Sequence, residues 1–247
     1  MATAEDTRGR AAVVFDFGAV LFRWQPLELL QQTVPELAPN EDAARTLAAQ
    51  IFESFTPDSD WSRFDLGLLD EAALAGRIAR RIGALEMQVR RVIDAIPGHL
   101  EAQPATVSLL AALKAAGHRL YYLSNMPRSY AEHLERHNAF IADFIDGIFS
   151  ARVGLMKPHA AIFELAEQRF GLEPARTVFI DDHAGNVQAA RARSWQAVQF
   201  LDAAQTAQSL ARAGWLPDGQ GLGAASHSSA MRTQAVAPSG INSSLKS

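Results

Sequence analysis

Ala11-Ala-Val-Val-Phe-Asp16-Phe-Gly18-Ala-Val20 is the stretch on which the reading of this chain turns. Five apolar residues, Ala11 to Phe15, run without polar alternation and stop at an acid. A continuous apolar run ended by a polar turn suits a strand buried on both faces, as in parallel sheets. In a doubly wound sheet, ligands sit beyond the carboxyl ends of the strands, near the point where the strand order reverses. A carboxylate there is placed to attack an electrophilic phosphorus or carbon, forming a covalent intermediate that water later hydrolyses. The sequence therefore predicts Asp16 as a nucleophile at a strand end.

Working outward, the runs Leu120–Leu123 and Thr177–Ile180 have the same character, with Gly147–Phe149 and Ala197–Phe200 weaker. Helical patterns separate them, over Thr106–Ala116, Pro158–Phe170 and Ala184–Arg193. Strands alternating with helices predict right-handed βαβ units and an α/β fold with a Rossmann-like doubly wound parallel sheet. Residues 24–100 break the rhythm. Leu47, Ile51 and Phe55 recur there every four residues, as do Leu74, Ile78 and Ile82, while Val89, Val92, Ile93 and Ile96 form a third stripe. Pro57, Gly67 and Gly83 punctuate the stripes. We expect a small α-helical module at 24–100, inserted into a core made of 11–23 and 101–215. The ends, 1–10 and 216–247, read as disordered tails, since the Gly/Ser/Ala-rich C-terminal stretch has too few large apolar residues to offset its ordering entropy.

The residues that follow the strands make chemical sense together. They are Asp16 and Gly18, then Ser124-Asn125, then Lys157-Pro158, then Asp181-Asp182. A phosphate monoester would repel Asp16, and a cation offsets that repulsion. Asp16 and Asp182 could hold Mg²⁺ through hard oxygens, with the Gly18 carbonyl as a natural third ligand. Lys157 adds a fixed positive charge, and Ser124 and Asn125 offer donors to phosphoryl oxygens. Each residue has an ordinary reading as well. An Asp after a strand caps helices or forms Asx turns, the acidic pair complements a helix dipole, and Lys157 could be a solvated charge with Pro158 at N1. The joint pattern, four polar signatures in chain order at successive strand ends, favours the chemical reading.

Bulk properties narrow the classes. The chain has 247 residues, 48% hydrophobic and 20% charged, so it can bury a substantial core. A net charge of -4 leaves no basic footprint for nucleic acid and disfavours anionic membranes. No run approaches the ~20 apolar residues of a membrane span, and residues 1–10 lack an apolar signal core; the expected location is the cytoplasm. With no cysteine, disulfides and thiolate chemistry are excluded. His133 and His137 have a zinc-compatible i, i+4 spacing but no glutamate directly after the first, and read as an exposed helix face. No Walker A loop, G-x-S-x-G elbow or G-x-G-x-x-G fingerprint is present.

The segments VVFDFGAVLF (13–22), YYLSN (121–125), GLMKPHAAIF (154–163) and VFIDDHAGNVQAA (178–190) resemble the haloacid dehalogenase (HAD) superfamily. The resemblance spans roughly Ala11 to Leu201 and implies a Rossmann-like core with a small helical cap inserted after the first motif. It implies Asp16 as nucleophile, Ser124 and Asn125 as phosphate-binding, and Lys157 as the third-motif lysine. Asp182 becomes the main acidic metal ligand with Asp181 beside it. Within the superfamily the chain looks most like phosphatases acting on glucose 1-phosphate, which share the FDxG, LSN and GLxKP patterns and a cap segment like Arg63–Glu71. The implied activity is Mg²⁺-dependent hydrolysis of a small phosphorylated metabolite through an aspartyl phosphate.

One departure matters. Most phosphatases of the superfamily carry a second Asp two residues after the nucleophile, which protonates the leaving oxygen and then activates water. Here that position is Gly18. Losing such general acid–base help typically costs ~10²–10⁴-fold, so a water, His183 or a cap residue must substitute, or good leaving groups are preferred. Two other readings stay open: a metal-independent 2-haloacid dehalogenase, which Gly18 fits, and a non-catalytic HAD-like binding protein. Retaining Asp181-Asp182 favours a metal and so the phosphatase. For specificity, Trp61, Arg63 and Phe64 are candidates, against the alternative that Trp61 and Phe64 pack the cap core.

Overall fold

The computed structural model describes residues 11–53, 56 and 58–217. Residues 1–10 and 218–247, together with Ser54, Phe55 and Pro57, lie outside them, and so do most of the expected tails.

The five expected strands form one parallel sheet: β1 (Ala12–Phe15), β2 (Arg119–Ser124), β3 (Asp146–Phe149), β4 (Thr177–Asp181) and β5 (Gln196–Gln199), in the order β3-β2-β1-β4-β5. β1 is central, with Phe15 opposite Tyr122 on one side and Ile180 on the other. Because successive strand residues face opposite ways, Val13 and Phe15 enter one apolar layer while Ala12 and Val14 enter the other. The four are fully buried. The strand order reverses about β1, so the crevice beyond its carboxyl end is the expected ligand position.

Between β1 and the next core helix lie five helices: α1 (Pro26–Thr33), α2 (Glu41–Phe52), α3 (Asp60–Asp65), α4 (Glu71–Ile82) and α5 (Glu86–His99). Asn40 and Asp70 cap α2 and α4 by accepting from the N–H groups of Ala43 and Ala73. Leu47 and Ile51, Leu74 and Ile78, and the Val89–Ile96 stripe turn inward and join the Phe15 layer, so one apolar cluster runs through the insertion and the sheet. α1 and α3, with eight and six residues, are too short to show a periodic stripe. Among the described residues no helix is long and apolar enough to cross a membrane.

The remaining helices cover the sheet. α6 (Pro104–Ala115) precedes β2, α7 (Arg128–His137) follows it, and the four-residue α8 (Ser150–Val153) follows β3. α9 (Ala160–Phe170) and α10 (Ala184–Ala192) flank β4, and α11 (Ala203–Arg212) follows β5. α6 and α11 supply Leu109, Leu110, Leu113 and Leu210 to the layer of Phe15. α9 and α10 supply Ile162, Phe163, Ala166 and Ala190 to the other. Each fully buried large side chain of this kind contributes ~1.5–3 kcal/mol. At the β2–β3 edge one glycine is required by close approach: a Cβ on Gly147 would meet the Tyr122 ring at 2.0 Å.

Three boundaries differ from the sequence reading. The helix expected from Pro158 begins at Ala160, with His159 as its N-cap. The reason is that both backbone groups of Lys157 are held by the Asn125 side chain, which ties the turn down before the helix can start. The helix expected from Thr106 begins earlier, at Pro104, whose fixed φ suits the first turn. Trp215 and Leu216 are buried in the core, so Leu216 belongs to the folded body rather than to a tail.

Candidate active site

The carboxyl ends of β1, β2 and β4 bring the sequence-chosen polar residues to one place. Asp16 directly follows β1, its N–H donating to the Ile180 carbonyl at 2.9 Å, so the sheet ladder itself aims the residue. Its Oδ1 accepts from the Phe17 N–H at 2.6 Å. Ser124 closes β2 and Asp181 closes β4.

Lys157 is the hub. It is 2% exposed, and its Nζ lies 3.0 Å from Asp16 Oδ1 and 2.6 Å from Asp181 Oδ2. The ammonium also sits 5.3 Å from the Phe179 ring centroid. A solvated surface charge is therefore ruled out for this lysine. Burial alone would lower its pKa, but the two carboxylates outweigh burial and raise it, so Lys157 is a fixed cation.

Asn125 holds that cation in place. Its Nδ2 donates to the Lys157 carbonyl and its Oδ1 accepts from the Lys157 N–H, both at 2.9 Å, which leaves one Nδ2 hydrogen for a ligand. Ser124 Oγ is buried and has no hydrogen-bond partner among the described residues. A buried hydroxyl without a partner is costly, and an oxygen of a bound ligand would satisfy it.

Asp181 is fully buried and fully engaged. Beyond Lys157, its Oδ1 accepts from the His183 N–H at 2.8 Å, and Asn186 Nδ2 reaches both oxygens at 3.0 and 3.1 Å. Asp182 is exposed at the mouth of the site. Burial and Asp181 raise its pKa. Carboxylate oxygens of Asp16, Asp181 and Asp182 all lie within 4.8 Å of one another, a hard-oxygen cluster of the kind that holds a divalent cation. Burial pushes Asp16 up to about 7, with Asp181 and Asp182 adding to the rise and Lys157 opposing it. A bound cation would reverse that rise.

The pocket above this rim has two characters. Its floor carries Asp16, Gly18, Asn125, Lys157, Asp182 and Asn186. Its wall is largely apolar, with Trp24, Trp61, Ile96 and Leu100 from the insertion facing Met126 and Tyr130 from the core. His183 also lines it, exposed, its ring accepting from the Gly185 N–H as the α10 N-cap. Of the three cap candidates, Trp61 lines the pocket. Phe64 is buried against Trp61 and Tyr130, with centroids 5.8 and 5.5 Å away, and Arg63 is exposed away from it. His133 and His137 stack on one another along α7, away from the acids.

Two residues escape a reading of the sequence. Asn186, on the first turn of α10, orients Asp181; its signal is a polar residue facing back toward the strand end five positions on. The other is Asp65, the last residue of α3, which enters the same pocket at 6% exposure. Its backbone carbonyl accepts from Ser150 Oγ, and Ser150 Oγ in turn accepts from the Met126 N–H at 2.9 Å. Gly67 makes this junction possible, for its φ is +74° and a Cβ there would meet the Ala151 carbonyl oxygen at 2.9 Å.

The same chain order of motifs and the same architecture recur in known proteins. The sesquiterpene phosphatase astK of Aspergillus oryzae (strain ATCC 42149 / RIB 40) is 28% identical over 200 residues, covering 81% of this chain and 94% of that protein. A HAD family enzyme of Bacteroides thetaiotaomicron, solved with magnesium and inorganic phosphate, superposes with a TM-score of 0.56 at 21% identity, over 77% of this chain and 93% of that one. The L-2-haloacid dehalogenase of Xanthobacter autotrophicus gives 0.59 at 19% identity, over 83% of each chain. At these identities the two structures share the fold and decide nothing between their chemistries. The haloacid dehalogenase-like hydrolase family matches residues 11–192, from the first residue before β1 to the last of α10. That span contains the strand-end acids, the buried lysine and the inserted helices alike, and the chain belongs to the haloacid dehalogenase-like hydrolase family.

Proposed function

We propose that this hydrolase is a Mg²⁺-dependent phosphatase that works through a phosphoryl group carried on Asp16. The observation that carries the reading is the cluster of Asp16, Asp181 and Asp182 carboxylates, two of them on one buried ammonium. A haloalkyl transfer to Asp16 needs no such excess of acid, whereas phosphoryl transfer needs its negative charge neutralised. Asp16, Asp182 and the Gly18 carbonyl would hold the ion, with Asp181 beside them. When bound, Mg²⁺ supplies Lewis-acid stabilisation of the phosphoryl oxygens.

The chain's own residues do the rest. Lys157 fixes the position of Asp16 and offsets the charge of the incoming phosphate. Ser124 Oγ and the free Asn125 Nδ2 hydrogen donate to phosphoryl oxygens. Asp16 attacks phosphorus, the bond to the leaving oxygen breaks, and water then cleaves the aspartyl phosphate. Asp181, held by Asn186 and the His183 N–H, keeps Lys157 in register without meeting substrate.

The wall bears on the leaving group. A sugar phosphate would set its hydroxyls against Trp24, Trp61, Ile96 and Leu100, which offer few hydrogen bonds. The pocket is open at its mouth, so the body of a leaving group can run outward along that apolar wall. We infer an organic phosphate with a bulky apolar body, such as an isoprenoid or long alkyl phosphate. The likeness to a sesquiterpene phosphatase supports that class. The dehalogenase reading keeps one observation in its favour, the glycine at position 18.

The test is hydrolysis of p-nitrophenyl phosphate with Mg²⁺, expected to vanish with EDTA, return on adding Mg²⁺ back, and fail in Asp16→Asn. Turnover that survives EDTA, or halide release from 2-chloropropionate without metal, would overturn the phosphatase reading.

A further inference from the structure

Gly18 leaves the leaving oxygen without a proton donor from its own loop, and the space beside it is open: a Cβ built there meets nothing within 4 Å. For a poor leaving group, the donor has to be a water or another residue that lines the pocket. Tyr130 is occupied, its hydroxyl donating to the Ile93 carbonyl at 2.8 Å. His183 is exposed at the mouth, on the Asp182 side, with Nδ1 committed to its own helix cap. Lys157 is locked between two carboxylates. Asp65 differs from all of these. It is buried, it lines the same pocket as the strand-end residues, and its carboxyl group has no hydrogen-bond or ionic partner among the described residues.

Its placement is also fixed. Although Asp65 belongs to the inserted helices, Ser150 ties its carbonyl to the loop after β2, and Gly67 seats the following turn directly on Ala151. The backbone that carries the carboxyl is therefore anchored to the core, and Asp65 lines the same pocket as the rim residues.

Resting on the phosphatase reading, we propose that Asp65 protonates the leaving oxygen and then takes a proton from the water that attacks the aspartyl phosphate. In the first step Asp16 Oδ bonds to phosphorus, the bond from phosphorus to the leaving oxygen breaks, and the Asp65 proton passes to that oxygen. In the second step water bonds to phosphorus, its proton passes to the Asp65 carboxylate, and the Asp16–phosphorus bond breaks, restoring both acids. The environment suits the donor role. Burial, with Asp16 adding to it and Lys157 opposing it, pushes Asp65 up to about 8, so it holds its proton at neutral pH.

The experiment compares kcat/KM, which reports the first phosphoryl transfer, on two substrates in Asp65→Asn. With n-octyl phosphate, whose alkoxide cannot leave unprotonated, kcat/KM is expected to fall ~10²–10⁴-fold. With p-nitrophenyl phosphate, whose phenolate leaves unaided, it is expected to stay within ~10-fold, with a burst of p-nitrophenol before a slowed steady state. Asp65→Glu keeps a carboxyl and is expected to retain most octyl phosphate activity. Gly18→Asp added to Asp65→Asn, placing a carboxyl in the open space, is expected to recover at least ~10-fold on octyl phosphate. Equal losses on both substrates, no loss on either, or the selective loss appearing in His183→Asn instead would overturn the assignment. A wild-type protein inactive on both substrates with Mg²⁺ would sink the phosphatase reading itself and the Asp65 assignment with it.

Discussion

The rim of the sheet and the wall of the insertion face each other across one pocket and are built on opposite principles. At the rim the buried charges are paired: Lys157 bridges Asp16 and Asp181, Asn186 completes Asp181, and Asn125 clamps the Lys157 backbone, which leaves only the exposed Asp182 outside the network. At the wall the groups are apolar, and its one acid, Asp65, has no partner among the described residues. A paired network is stiff and pre-aligned, and its donors need no reorganisation when charge develops. An unpaired buried acid is unstable in its ionised form and so remains a proton source. On the proposed phosphatase reading the difference divides the chemistry, with charge handling on the sheet and both proton supply and leaving-group recognition on the inserted helices.

The largest test of the rim is Asp16→Asn, which keeps the shape and removes the proposed nucleophile. Turnover of p-nitrophenyl phosphate is expected to drop on the order of 10⁵-fold, while the melting temperature does not fall, because one carboxylate leaves a crowded acidic site. Next comes Lys157→Met, which strands Asp16 and Asp181 without their cation. Removing one partner of a buried ion pair costs ~3–5 kcal/mol, readable as a lower denaturation midpoint. The loss should shrink as pH falls, since the stranded carboxylates then protonate. A Lys157→Met protein as stable as wild type at pH 8 would break the view of the rim as a paired network.

Metal binding comes third. Asp182 is the exposed acid of the cluster, and Lys157 is ion-paired with the other two acids instead. Asp182→Asn is expected to raise the half-saturating Mg²⁺ concentration ~10–100-fold, the range typical when groups supporting a metal site are lost. Activity measured against Mg²⁺ concentration reads this directly, and an unchanged midpoint would move the ion away from Asp182.

Much of the sheet and rim can be read from the chain alone, and the reason is physical. Parallel strands buried on both faces leave continuous apolar runs, and the residue after each run must sit at the carboxyl edge of the sheet. Asp16, Ser124 and Asp181 are visible for that reason, whereas Lys157 lies beyond α8, eight residues past the end of β3. What stays hidden depends on contacts between distant segments. The Asn125 clamp on Lys157 spans 32 residues, and no local pattern marks it. Asp65 ends a six-residue helix, too short for a periodic stripe, and its burial depends on Ser150 and Gly67 seating that helix against the core. The start of α9 departs from its sequence pattern for the same reason, because the Lys157 turn is held from outside its own segment.

The wall is tested by Trp24→Ala. Trp24 is only partly buried and its ring meets Phe52 edge-on at 5.2 Å, so removing it trims the pocket with less damage to the cap core than Trp61 would cause. KM for n-octyl phosphate is expected to rise ~10-fold, in line with ~1–3 kcal/mol for a lost apolar contact in a specificity pocket. KM for a sugar phosphate should be unchanged. A rise shared equally by both substrates would mean that the wall shapes the site without selecting the apolar body.

The smallest effect is the most specific to Asp65, and it appears in stability. The folded state lifts this acid from 3.8 to about 8, chiefly through burial. A carboxyl raised in this way favours folding while protonated, so its contribution is complete below pH 3.8 and is lost as pH climbs to about 8. Asp65→Asn carries no such charge. Its melting temperature, measured in EDTA, should match wild type near pH 4 and exceed it by on the order of 5 °C at pH 8, as ~1–2 kcal/mol would give in a domain of this size. Above pH 8 the gap should stop growing, since the acid is then ionised in both states. A gap of the opposite sign would mean that the folded state stabilises ionised Asp65, which requires a cationic partner. Rim and wall would then no longer differ in kind, and the proton for the leaving oxygen would have to come from elsewhere.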